Sequence, residues 1–250
     1  MEAPSPLIEV PATPEYVLAV LLDRSRQEWG AKAPIEPVTL DSPVDRLWEA
    51  CEFLNGDDIY YSTMEWFDLW GTNWFDAFFY TQLETARDLC TLIASRATMP
   101  QITLVSLCGK TCQPASVFLA VRSLLVEAGA DVRELAPSTS LHEFTRRHTE
   151  LFLGKISMLG PGSLPDVEID DGGKMRGELL KLLWSIPLLI GFMFKTLSPV
   201  YFTIVLLVYL VLLIKSWWDE EAPNARVDFG ELRTFRDLSN RLASRAEFQS

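Results

Sequence analysis

A chain of 250 residues, 48% hydrophobic and 22% charged, carries enough apolar material for a packed core and does not have a disordered composition. Its formal net charge of −12 argues against nucleic acid as a partner, because phosphate binding needs a concentrated positive field. Four cysteines, Cys51, Cys90, Cys108 and Cys112, are too few and too irregularly spaced for a disulfide scaffold, so they read as packed thiols in a reducing, cytosol-facing compartment.

Residues 1–13 are proline-rich and expected to be flexible, and Met1 to Pro6 has neither the basic nor the apolar region of a secretory signal. Pro14 suits the first turn of a helix running through Tyr16 to Leu22. Asp41 or Ser42 can cap a second helix, with Pro43 in its first turn, that runs to about Leu54. Asn55-Gly56-Asp57-Asp58 is a turn by composition, and an aromatic helix follows from about Met64 to Tyr80. Trp66, Trp70 and Trp74 repeat every four residues and would line one face of that helix. Ten aromatic residues fall from Tyr60 to Tyr80, more than one small module is expected to bury, so an aromatic core shared by the two modules and a partner-binding or membrane-surface patch are both open.

A closing helix at 83–97 completes a first module, residues 14–97. Residues 98–113 read as a linker with a short run, Ile102 to Leu107, of undecided helix or strand character. The module order then recurs. Pro114 opens a helix as Pro14 does, Ser138-Thr139-Ser140 places small polar caps before an apolar helix start, and residues 232–246 match 83–97 at nine of fifteen positions. The chain is therefore read as a duplication, with a second module at 114–246 and a tail at 247–250. Arg87-Asp88 and Arg236-Asp237 are retained in both copies, which makes them candidates for a structural ion pair or cap, or for a paired recognition surface.

The second module holds a strongly apolar insert at 179–215. Thr196 to Ile214 is nineteen residues without a charge, about 28 Å as a helix against a bilayer core of about 30 Å. Leu182 to Phe194 is a shorter uncharged run, with Pro199 at the bend between the two. Leu182, Phe194, Tyr201 and Ile214 mark the expected spans, and Trp184, Trp217 and Trp218 suit an interfacial belt. If the closing helix returns to its own module, both ends of the insert must emerge on one side, which calls for an even number of crossings or a re-entrant hairpin, and the expected form is a two-helix membrane hairpin. The expected fold is mainly α: two duplicated small helical modules facing the cytosol, the second interrupted by that hairpin.

Catalytic, cofactor-binding and metal-binding signatures are missing from the pattern. Gly109-Lys110-Thr111 resembles the end of a phosphate loop, but Leu104 stands where that loop needs glycine. His142 and His148 miss the spacing that puts two imidazoles on one helical face, and Asp166 to Gly172 departs from a calcium loop in the position of its glycine. The order of capped helix, proline-containing turn and short closing helix resembles acyl-carrier-type bundles, although neither module has their Asp-Ser-Leu, and Pro43 follows Asp41-Ser42. The resemblance implies an alternative role as an acyl-carrier-like or lipid-associated accessory subunit of a membrane enzyme complex, with Ser42 or another serine as the attachment residue. The leading expectation is a non-enzymatic, membrane-anchored scaffold or adaptor, with the lipid bilayer and a protein as its partners. Trp66, Trp70, Trp74, Arg87, Asp88, Arg236 and Asp237 are its candidate interaction residues.

Overall fold

The N-terminal segment, the expected linker and the C-terminal tail meet in a single sheet. The computed structural model describes residues 6–29, 36–53, 55–107, 110–166, 168–170 and 226–249. Strand β1 (Leu7–Pro11) pairs antiparallel with β2 (Thr98–Thr103), Leu7 opposite Ile102 and Pro11 opposite Thr98. The C-terminal strand (Phe248–Gln249) joins the other edge of β2 in parallel, through Ile102 and Phe248. Ile102 is fully buried at the centre, and its N–H donates to Glu247 O at 2.9 Å.

Helices make up most of the rest. Among the described residues they are, in chain order, α1 (Pro14–Trp29), α2 (Val44–Ala50), α3 (Gly56–Trp66), α4 (Trp74–Tyr80), α5 (Ala86–Ala94), α6 (Gln113–Glu127), α7 (His142–Arg147), α8 (Thr149–Leu151) and α9 (Phe235–Ala243). A β-hairpin, β3 (Ser106–Leu107) with β4 (Lys110–Thr111), precedes α6. A π-helical turn at Phe152–Ile156 continues α8, and Gly154 breaks the helical dihedrals within it. Strands β5 (Glu168–Asp170) and β6 (Arg226–Asp228) form a two-stranded sheet, so the chain's departure toward residue 171 and its return at 226 lie side by side.

The recurring helices occupy matching local settings. In α5, Ala86, Leu89, Cys90 and Ile93 turn inward; in α9 the equivalent positions are Phe235, Leu238, Ser239 and Leu242. This is the i, i+3, i+4, i+7 stripe of a helix with one buried face. Helix α5 packs on α1 and α9 packs on α6. Each is anchored by the same three backbone hydrogen bonds to the loop before the module's second helix. Ala86 N–H donates to Ser42 O (2.9 Å), Arg87 N–H to Leu40 O (2.7 Å), and Val44 N–H to Glu84 O (3.0 Å). The counterparts run from Phe235 to Thr139 O (3.2 Å), Arg236 to Pro137 O (2.7 Å), and Leu141 to Arg233 O (3.0 Å). Isolated bridges, Pro43 with Thr85 and Ser140 with Thr234, complete the match.

Polar groups along α1 tie it to the segment after α8. Asp23, nearly buried, holds Arg26 at 2.7 Å and Gln27 at 3.1 Å. Arg26 also donates to Leu164 O and to the Asp166 carboxylate, each at 2.6 Å, while Arg24 donates to Leu153 O. Tyr16 donates its hydroxyl to Met158 O at 3.1 Å. Burying such groups is tolerable because each side chain makes at least one hydrogen bond, although Gln27 Oε1 has no partner among the described residues.

Two expectations are corrected. The fold is not simply α-helical modules: Leu7–Pro11 and Thr98–Thr103, read as a flexible end and a linker, are the paired strands of a small three-stranded sheet. Among the described residues no helix is long and apolar enough to cross a membrane. The longest, α1 and α6, have 16 and 15 residues against the roughly 20 a bilayer requires, and α1 carries Asp23, Arg24 and Arg26. The transmembrane hairpin and the integral-membrane placement built on it are therefore corrected to a helical body with a small sheet. Leu182, Trp184, Phe194, Pro199, Tyr201, Ile214, Trp217 and Trp218 lie outside the described residues.

Candidate functional site

The aromatic stretch folds as two helices with a reversal between them, which decides where each ring goes. Asn55 caps α3, its Oδ1 accepting from the N–H groups of Asp57 and Asp58 at 2.9 and 3.1 Å. The helix stops beyond Trp66. Asp68 adopts a left-handed φ of 50°, and Leu69 N–H returns to Met64 O at 2.9 Å, closing the helix end in a Schellman motif. Gly71, with φ 76°, completes the turn into α4. The expected single helix from Met64 to Tyr80 is thus broken, and the four-residue spacing of the tryptophans does not place them on one face.

Trp66 and Trp74 go inward; Trp74 is 1% exposed and packs its ring 5.4 Å from Phe78, with its indole N–H 3.4 Å from Tyr60 O. Trp70, in the reversal, is 62% exposed. Tyr61, Phe75, Phe79 and Tyr80 are also exposed. Around the half-buried Tyr60, ring centroids lie 5.0 Å away at Tyr61, 5.9 Å at Phe75 and 5.5 Å at Phe79. Tyr60 meets Phe75 at 87° and Tyr61 at 73°, so these rings stand as walls rather than a stack. They border a cleft of about 410 Å³ that Trp70 and Asp57 also line.

The retained Arg-Asp pairs have different jobs within each pair. Asp88 and Asp237 are capping-box residues. Each accepts from the N–H and hydroxyl of the helix-capping threonine, Thr85 at 2.9 and 2.8 Å and Thr234 at 2.9 and 2.7 Å. For Asp88 the Thr85 backbone is the main cause, and for Asp237 the Thr234 hydroxyl; both carboxyls are held below the usual carboxylate range. Arg87 pairs with Asp41 at 2.7 Å on an exposed face. In the second copy Ser138 stands at the position of Asp41, and among the described residues Arg236 forms no ion pair. The retained arginine is therefore not kept for a shared salt bridge, and its common feature is the backbone anchor.

The caps carry a testable pH signature. Because folding depresses both carboxyl pKa values, their stabilisation is in place above the unfolded value of about 4 and is lost as pH falls through the lower folded values. Chemical unfolding below about pH 4 should show the double variant Asp88→Asn, Asp237→Asn losing less stability on acidification than the wild type. At neutral pH, Thr85→Ala and Thr234→Ala should each lower stability by about 0.5–2 kcal/mol.

Other groups weighed in the sequence are accounted for locally. Burial pushes the Cys51 thiol up to about 11 and Cys90 up to about 12, so both stay protonated in the core. Asp166, the first acid of the calcium-like run, is paired with Arg26. Ser42 does not lead a helix with a free hydroxyl: its Oγ accepts from Thr39 N–H at 3.0 Å, and Pro43 is the N-cap of α2. Among the described residues no group of three or more His, Cys, Asp or Glu side chains is placed to hold a metal ion. A larger cleft of about 700 Å³ beside α1 sets Arg26, Arg87 and Arg245 against Glu15, Asp23 and Asp41. Its charges match in number, and Arg26 and Arg87 are already held by Asp23 and Asp41, so its lining carries no net charge.

Comparison with protein-family models, curated proteins and solved structures finds no match for this chain. The aromatic surface of α3 and α4 is accordingly read from its own geometry.

Proposed function

We propose that the protein is a non-enzymatic interaction protein, a scaffold or adaptor, that binds a protein partner through the aromatic face of α3 and α4. One observation carries this reading: Tyr61, Trp70, Phe75, Phe79 and Tyr80 are all exposed within a single stretch of chain, four of them lining one cleft. Large apolar rings left in water cost roughly 25 cal/mol for each Å² not buried, and contiguous patches of this kind mark interaction sites. Tyrosine and tryptophan are also the residues most enriched where protein partners contribute binding energy, since each supplies a rigid apolar body with a polar edge.

A random-peptide display selection on the full chain tests this. Peptides that survive counter-selection against the double variant Trp70→Ala, Phe75→Ala are expected, and each single substitution should weaken them by about tenfold or more. Selected peptides that bind the wild type and the double variant alike, or the failure to select any, would overturn the proposal.

A further inference from the structure

We infer that the segment this cleft accepts is basic, and that it places a lysine or arginine side chain among the aromatic rings. The inference rests on the proposed interaction surface and names the chemistry of its partner. Its first support is charge. No Lys or Arg occurs between Arg46 and Arg87, although the chain has 22 of them, while eight Asp and Glu residues fall in that interval. The aromatic surface is therefore presented by a wholly anionic segment. Glu65, Asp68 and Asp76 are exposed on α3, the reversal and α4, and none of them is ion-paired among the described residues.

The second support is the cleft. Asp57 lines it, is exposed, and likewise has no salt-bridge partner among the described residues. Tyr60, Tyr61, Phe75 and Phe79 line the space, Tyr60 standing at 73° to Tyr61 and 87° to Phe75, with Phe79 tilted by 42° to Tyr60 and 47° to Phe75. A cation among such rings meets the negative faces of the π-systems, and a carboxylate at the rim adds direct Coulomb attraction. The same helix already uses this chemistry on its inner side, where the Arg24 guanidinium sits 5.4 Å from the centre of the Trp66 ring. An anionic partner would be repelled by the carboxylates, and an uncharged apolar segment would leave them without a partner at the interface.

The probe is a fluorescein-labelled peptide alternating arginine and alanine, compared with its glutamine-for-arginine counterpart by anisotropy on the full chain. The arginine peptide should bind about tenfold or more tightly, and raising the salt should weaken it. A protein this acidic attracts any polycation, so the deciding comparison is between two variants of equal net charge. Asp57→Asn should weaken binding several-fold, as should Phe79→Ala, whereas Glu143→Gln on α7 should leave it unchanged. Equal effects of Asp57→Asn and Glu143→Gln, or equal binding of the two peptides, would overturn the inference. Display-selected peptides that need Trp70 yet carry no enrichment in Lys or Arg would overturn it while leaving the interaction surface standing. Peptides with no need of Trp70 would remove both.

Discussion

Trp74→Ala should lower the unfolding free energy by about 3–5 kcal/mol, while Trp70→Ala, four residues earlier, should change it by no more than about 0.5 kcal/mol. Trp74 begins α4 with its ring buried against Phe78, and deleting it removes a large apolar side chain and leaves a cavity that short helices can close only in part. Trp70 sits in the reversal with most of its surface in water, so its loss forfeits little burial. Domains of this kind are stable by only about 5–15 kcal/mol, so the first substitution should move a urea midpoint far and the second hardly at all. Equal shifts would mean that the division of the aromatic stretch into a buried and an exposed set is wrong. The contrast also separates function from folding: Trp70→Ala can be used in binding measurements because it leaves the scaffold intact.

Phe235→Ala should be as costly, about 3–5 kcal/mol, for a reason specific to the second copy. Phe235 is fully buried at the first turn of α9, with ring centroids of Phe144 at 5.2 Å, Phe152 at 6.3 Å and Phe118 at 6.4 Å. Near-perpendicular pairing with Phe144, at 85°, adds edge-to-face attraction that alanine cannot replace. The equivalent position in the first copy is Ala86, also fully buried. Ala86→Phe should therefore destabilise by overpacking, by at least about 1–3 kcal/mol, although it installs the residue the other copy requires. Denaturant unfolding of both variants tests whether matching backbone anchors hold two differently packed cores. A tolerated Ala86→Phe would contradict it.

The recurring helices were legible because their signals are local. The match of 232–246 to 83–97 exposes them, and within it threonine three residues before aspartate, at Thr85 and at Thr234, is the cap signal that the structure adds to the buried stripe. The second-helix echo, Asp41 onward against Ser138 onward, was weaker in sequence, yet the backbone bonds fall at those positions in both copies. The break after Trp66 was not legible. Helix ends are signalled most clearly by glycine in the left-handed position, and at the end of α3 Asp68 takes it; Gly71-Thr72-Asn73 does interrupt the aromatic run as a turn signal, but the four-residue spacing of the tryptophans masks it. The periodicity of Trp66, Trp70 and Trp74 was real, but it ran across a turn.

The sheet was hidden for a different reason. β1 follows Pro6 and ends in Pro11, prolines that read as loose chain, and β2 contains Pro100, which cannot donate to a ladder. Their pairing spans some ninety residues of sequence, and the third strand comes from the far end of the chain, so no local pattern announces either contact. The membrane hairpin was inferred from composition at 179–215, and the described helices supply nothing of the required length and apolarity. Of the seven candidate interaction residues, Trp70 alone combines strong exposure with a place at the aromatic cleft. Trp66 and Trp74 are core, Asp88 and Asp237 are caps, and Arg87 and Arg236 share a backbone anchor. The rings that surround the cleft with Trp70, namely Tyr60, Tyr61, Phe75 and Phe79, were visible as composition but not as a surface.

Hydrogen–deuterium exchange of the full chain, with and without a display-selected peptide, tests the interaction surface most directly. Slower exchange confined to residues 57–80, and its disappearance in Trp70→Ala, is the predicted result. Protection that falls elsewhere, for instance beside α1 at Arg87 and Arg245, with residues 57–80 unchanged, would contradict it.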